Sequence, residues 1–108
     1  MVKYVNAAEL ENLISSTDKT VYCDFWASWC GPCRMLAPVF EDISDKYDGQ
    51  ALFAKINIDE EDSEAAAIKY GITSIPNIIA FKNGQPIDNS LGFVPQAMLE
   101  KFVENNLK

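Results

Sequence analysis

The 108-residue sequence has no histidine, three cysteines, and nine lysines and arginines against sixteen aspartates and glutamates. Each scarcity excludes something. A structural zinc site wants about four Cys or His ligands, so three thiols without an imidazole predict no metal. A formal charge of -7 argues against nucleic acid, whose phosphates need Lys and Arg, and against anionic membrane surfaces. No apolar run approaches the roughly 18 residues of a membrane-spanning helix. Met1 to Leu10 lacks the basic cluster and apolar centre of a signal peptide. A cytoplasmic protein is expected, with proteins or small molecules as partners. There, an odd number of thiols speaks against a disulfide framework and, with metal set aside, leaves redox chemistry or burial to account for them.

With 48% hydrophobic residues, the chain has the means for one core, and residues 1–108 are expected to form one domain. Val2 to Val5 is a short β-like run. Asn6 reads as an N-cap for Ala7 to Ser15, where Leu10, Leu13 and Ile14 form one apolar stripe. Thr20 to Ala27 is β-branched and aromatic with little alternation, as in a strand covered on both faces. From Cys30 to about Tyr47 the apolar positions recur at helical spacing, Pro38 is expected to kink that helix, and Asp48-Gly49 ends it. Ala51 to Ile58 reads as a strand, Glu60 to Tyr70 as an acidic helix, and Asn77 to Lys82 as a strand. Asn83-Gly84 predicts a hairpin turn into Pro86 to Leu91, and Pro95 opens a final amphipathic helix. Strand and helix alternating, then a hairpin and a closing helix, predict an α/β architecture: a central mixed β-sheet flanked by helices on both faces.

Trp29-Cys30-Gly31-Pro32-Cys33 falls beyond the carboxyl end of a predicted strand, where sites in such sheets lie. Its two thiols stand three residues apart at a helix start, a spacing from which a disulfide forms with little adjustment. The attacking species in disulfide exchange is a thiolate. At the helix start Cys30 meets unpaired amides and the positive end of the dipole, an effect of about 0.3–1 kcal/mol, up to about 2 when partly buried. One pKa unit is about 1.4 kcal/mol, so hydrogen bonds must add to it. Cys33, one turn further in, is expected to be more buried and less acidic. This assigns Cys30 as nucleophile and Cys33 as the thiol that resolves a mixed disulfide. Gly31 permits close approach of a partner chain, and Pro32 fixes a backbone angle. The plain alternative is a helix N-terminus with two buried cysteines.

An acid inside an apolar run bears a large desolvation cost if ionised and unpaired, so Asp24 is expected to have a raised pKa. It could exchange the proton of Cys33 through water, with Lys55 on the next strand as its partner. The bland alternative is an edge strand open to solvent. Cys23 should point to the opposite face of the sheet as a core cysteine. Trp29 more naturally lines a partner surface than a core. Asp59 to Glu64 reads most simply as a solvated helix start.

Asp24-Phe25-Trp26-Ala27-Ser28-Trp29-Cys30-Gly31-Pro32-Cys33, Tyr70-Gly71-Ile72-Thr73-Ser74-Ile75-Pro76 and Phe81-Lys82-Asn83-Gly84 together resemble the thioredoxin family over essentially the whole length. The resemblance implies the thioredoxin fold and reduction of client-protein disulfides by the Cys30/Cys33 dithiol, with no bound cofactor. It further implies recharging by a thioredoxin reductase, an NADPH-dependent flavoprotein or a ferredoxin-linked enzyme, and action as a monomer. It also implies a cis bond between Ile75 and Pro76, facing the dithiol. The groove it implies is flat, apolar and uncharged, formed by Trp29, Gly31, Pro32, Ile75, Pro76 and Gly92. Asp24 and Lys55 match the family's buried acid and its partner. Asn77, Arg34 and Phe93 depart from the residues usual there. Phe93, where a small residue is frequent, either narrows the substrate set or adds an aromatic anchor. The competing functions are a disulfide oxidant or isomerase, and a binding subunit or chaperone that uses the groove without turnover.

Overall fold

The computed structural model describes residues 1–107. Strand β1 (Val2–Tyr4) leads into helix α1 (Ala7–Ser15), started by a reciprocal cap. The Asn6 side chain accepts from the Glu9 amide at 2.8 Å, and the Glu9 carboxylate accepts from the Asn6 amide at 2.9 Å. Strand β2 (Val21–Trp26) is followed by helix α2 (Gly31–Lys46), which runs on past Pro38 with Cys30 as its N-cap. Then come β3 (Leu52–Asn57), α3 (Glu64–Lys69), β4 (Asn77–Lys82), β5 (Gln85–Leu91) and α4 (Gln96–Asn105). Asn83 and Gly84 both take positive φ, 53° and 79°, the geometry that a tight hairpin turn requires.

One expected element divides. The acidic stretch is not a continuous helix from Glu60 to Tyr70: Glu61–Ser63 form a 3₁₀ turn before α3 begins. Ser63 is buried there, and Asp62 accepts a hydrogen bond from Asn6. These tertiary ties override the helical pattern in a segment where successive acids gain little from helix formation.

The sheet order is β1-β3-β2-β4-β5, with β1, β3 and β2 parallel and β4 and β5 antiparallel. β2 is therefore an interior strand, which explains its unbroken apolar character. Alternation divides its side chains between two cores. Val21, Cys23 and Phe25 pack with Leu10, Ile14 and Ala66 of α1 and α3. Tyr22 packs with Leu36, Phe40, Leu99 and Val103 of α2 and α4. Burying each large apolar side chain contributes about 1.5–3 kcal/mol. The Tyr22 hydroxyl also donates to the Val103 carbonyl at 2.6 Å, tying α4 to the central strand.

Candidate active site

The end of β2 sets the site. From Trp26 the chain turns through Ala27, whose carbonyl accepts from the Cys30 amide at 3.2 Å, and Cys30 then adopts extended backbone angles as the N-cap of α2. In place of the usual Ser or Asp oxygen, the Cys30 Sγ accepts the Cys33 amide hydrogen at 3.2 Å. Cys30 and Cys33 are joined as a disulfide with Cα atoms 5.2 Å apart, inside the range of about 4.4–6.8 Å that such bonds use. Both are buried, at 5% and 2% exposure, so the expected difference in burial is small. The thiols differ chiefly in position: Cys30 caps the 16-residue helix and Cys33 lies within it.

The loop opposite is built from the other half of the sequence. The Ile75-Pro76 bond is cis, and the Cys30 Sγ lies 3.9 Å from the Ile75 carbonyl oxygen. The Gly92 amide donates to the Pro76 carbonyl at 2.7 Å. Gly92 has φ +81°, a conformation that other L residues rarely adopt. These contacts join Cys30, Ile75, Pro76 and Gly92 into one continuous rim. Gly31 and Pro32 lie in the first turn of α2, and among the described residues, its chain neighbours and own helix backbone aside, no atom comes within 4 Å of where a Gly31 Cβ would stand. Phe93, directly after Gly92, is 40% exposed.

Trp29 is 67% exposed, yet its indole N–H donates to the Asp59 carboxylate at 2.6 Å. Asp59 is thus more than part of a solvated helix start. Sequence reasoning missed it because no spacing rule links an indole to an acid thirty residues on; the available signal was the need of an indole N–H for an acceptor. Arg34 reaches back to donate to the Ser28 carbonyl at 2.9 Å, bracing the same loop. Asn77 is buried beside Pro76 and accepts from the Asn89 side chain at 3.3 Å.

Asp24 is fully buried in the interior strand, which rules out the solvent-open edge position. It shares a face with Tyr22, and that face looks toward α2. Among the described residues neither carboxyl oxygen has a hydrogen-bond partner, and the Trp26 indole N–H also lacks one. Burial pushes the Asp24 carboxyl up to about 7, with the nearby Lys55 charge acting in the opposite direction. Lys55 stands beside Asp24 in the β2–β3 register. Its ammonium lies 4.6 Å from the Trp26 ring centroid and 5.7 Å from that of Tyr4. Lys55 also borders a polar cleft of about 180 Å³ with Asn57 and Glu60. Cys23 is fully buried on the opposite face, where desolvation and then the Asp24 charge hold its thiol well above the ordinary range.

A disulfide at a helix N-terminus, set against a cis-proline loop at the end of a mixed sheet, defines a thiol-disulfide oxidoreductase. Comparison with known sequences gives the particular lineage. The Thioredoxin family model matches residues 1–105, and the chain belongs to the thioredoxin family. It is 42% identical over 107 residues to a thioredoxin of Chlorobaculum thiosulfatiphilum, covering 97% of each chain. To a thioredoxin of Staphylococcus epidermidis it is 44% identical over 103 residues, covering 95% of each. A chloroplastic thioredoxin M-type of Pisum sativum is also 44% identical over 103 residues, which is 95% of this chain and 59% of the pea protein. The family implies a reductase partner and disulfide-bearing clients. Among the described residues no helix is long and apolar enough to cross a membrane.

Proposed function

We propose that this protein is a cytoplasmic reductant of client-protein disulfides, acting as a monomer with residues 1–108 as one domain. The Cys30 thiolate attacks one client sulfur, forming a mixed disulfide and releasing the other client sulfur as a thiolate. Cys33, as its proton leaves, attacks the Cys30 Sγ and releases the second client thiolate. The client gains two electrons and the two thiol protons, and the chain is left with the Cys30-Cys33 disulfide. The thiols carry both electrons, so no bound cofactor is required. An NADPH-dependent flavoprotein reductase returns the electrons.

The carrying observation is that the Cys30 sulfur sits at the α2 N-cap, accepts the Cys33 amide and lies 3.9 Å from the Ile75 carbonyl. Helix amides stabilise the thiolate in that position. Asp24 is the group that takes the Cys33 proton through water, and Lys55 is its electrostatic partner, a reading supported by a carboxyl poised at about 7. Trp29, Gly31, Pro32, Ile75, Pro76, Gly92 and Phe93 form the client surface, with the free edge of Ile75 pairing to client backbone. The open space at Gly31 supports close approach of a second chain. A reducing compartment is consistent with the free Cys23 thiol.

Two measurements test this. Equilibration of the Cys30-Cys33 couple with a dithiol buffer should give a potential near the value general to thioredoxins, about -270 mV; a value above about -200 mV would point to oxidant or isomerase work. Cys33→Ser should accumulate a covalent Cys30-client adduct visible by mass spectrometry, and Cys30→Ser should form none. A role in binding alone predicts that loss of both thiols leaves function intact.

A further inference from the structure

We infer that Phe93 determines client specificity: it is a fixed aromatic wall of the client surface that selects disulfides flanked by a large, uncharged apolar side chain. The inference rests on the client surface assigned above and names the substrate class it takes.

Three observations carry it. The main chain at Phe93 is held on both sides. Before it, Gly92 is bonded to the Pro76 carbonyl at 2.7 Å; after it, Val94 packs against the core shared by α2 and α4, and Pro95 caps α4. The Phe93 ring is nevertheless 40% exposed and belongs to no aromatic pair among the described residues. A fixed backbone carrying a partly exposed aromatic ring outside any aromatic pair is a preorganised contact, since two χ angles are all that binding must immobilise.

The second observation is continuity. The Gly92-Pro76 bond and the 3.9 Å approach of the Cys30 sulfur to the Ile75 carbonyl put the backbone of Gly92, and with it that of its neighbour Phe93, beside the same rim as the reacting sulfur. A client cysteine attached to Cys30 brings its immediate sequence neighbours to that rim, because one extended residue spans only about 3.3 Å.

The third is the distribution of charge. Trp29, Gly31, Pro32, Ile75, Pro76, Gly92 and Phe93 carry none. Two charged side chains beside it each already hold one partner: Asp59 accepts from the Trp29 indole, and Arg34 donates to the Ser28 carbonyl. An ionised client side chain loses hydration against an uncharged rim, whereas an apolar one gains the Phe93 ring.

The test uses the full chain, reduced and in excess, against peptides of one length, each with a single internal disulfide. The residue beside the cysteine is Leu, Phe, Gly, Ser or Asp in turn. The wild-type protein should reduce the Leu and Phe peptides about tenfold faster than the Gly peptide, a difference of about 1.4 kcal/mol, with the Asp peptide slowest. Phe93→Ala should compress the Leu-to-Gly ratio to about threefold or less, the Leu peptide rate falling more than the Gly peptide rate; Phe93→Leu, which keeps apolar bulk, should retain most of the ratio. Equal wild-type rates across the series, or the same ratio in Phe93→Ala, would overturn the inference. Failure to reduce any peptide would instead remove the proposed reductase function. Equal rates in the wild-type series, or a lost ratio in Phe93→Leu, would overturn the inference even if the Ala variant folds poorly.

Discussion

Asp24 and Lys55 are neighbours across the parallel β2–β3 pairing, yet they form no salt bridge among the described residues. The ammonium instead lies over the Trp26 and Tyr4 rings. The carboxyl therefore receives an electrostatic contribution from Lys55 but no hydrogen bond, and desolvation governs it.

The first prediction concerns stability. In the folded disulfide form Asp24 holds its proton up to about 7, against 3.8 for an ordinary aspartate. The folded state thus binds more protons than the unfolded state between those values, so stability falls as pH rises through that window and is level above it. At about 1.4 kcal/mol per pKa unit the loss is at most about 4 kcal/mol. Asp24→Asn should flatten the profile and be the more stable protein at pH 8, as read from denaturant unfolding of the oxidised forms at pH 5 and pH 8. An unchanged slope in the variant would contradict the assignment.

The second concerns rate. If Asp24 accepts the Cys33 proton, resolution of a mixed disulfide should accelerate as pH rises through about 7 and the carboxylate forms. Asp24→Asn should slow that step by about a hundredfold, in the range of lost general-base catalysis, with attack by Cys30 much less affected. Stopped-flow single turnovers separate the steps. Equal slowing of both would mean that the substitution disturbs the site as a whole.

The third concerns Trp29. Replacing Asp59 by Ala removes a charge-assisted acceptor from an exposed indole. The client rate should fall by about three- to tenfold, with unfolding stability changed by less than about 1 kcal/mol, because an exposed contact contributes little to folding. Trp29 fluorescence should change in the same variant. Rates matching wild type would show that the indole needs no anchor.

The fourth concerns the third thiol. Cys23 is fully buried and its thiol is held protonated by desolvation, so it should resist alkylation in the native reduced protein. Iodoacetamide should modify Cys30 first and leave Cys23 untouched until denaturant is added, as peptide mass mapping would show. Native labelling of Cys23 would require β2 to open.

What could be foreseen depended on the range of the interactions. Asn6 capping α1 and Asn83-Gly84 turning the hairpin are set by a few adjacent residues, and both are as the spacing predicts. Burial of Asp24 was legible because its flanks are apolar on both sides. The acidic segment was misread because its geometry answers to Asn6, far away in sequence, through the bond to Asp62. The Trp29-Asp59 pair escaped notice for the same reason. The cis-proline loop facing the thiols was implied by family resemblance; local residues indicated only a restricted turn.

The strand order has a consequence for how the chain emerges from a ribosome. β1 and β2 are made first, but they are not neighbours: each pairs with β3, which lies between them. A nascent chain that stops short of Leu52 holds no two strands able to join. Once β3 arrives, one element creates two ladders together, and the second flank of β2 stays open until Asn77–Lys82 follow. Assembly of the sheet is thus withheld until β3 emerges, which leaves the apolar strand Val21–Trp26 in need of shelter during the interval.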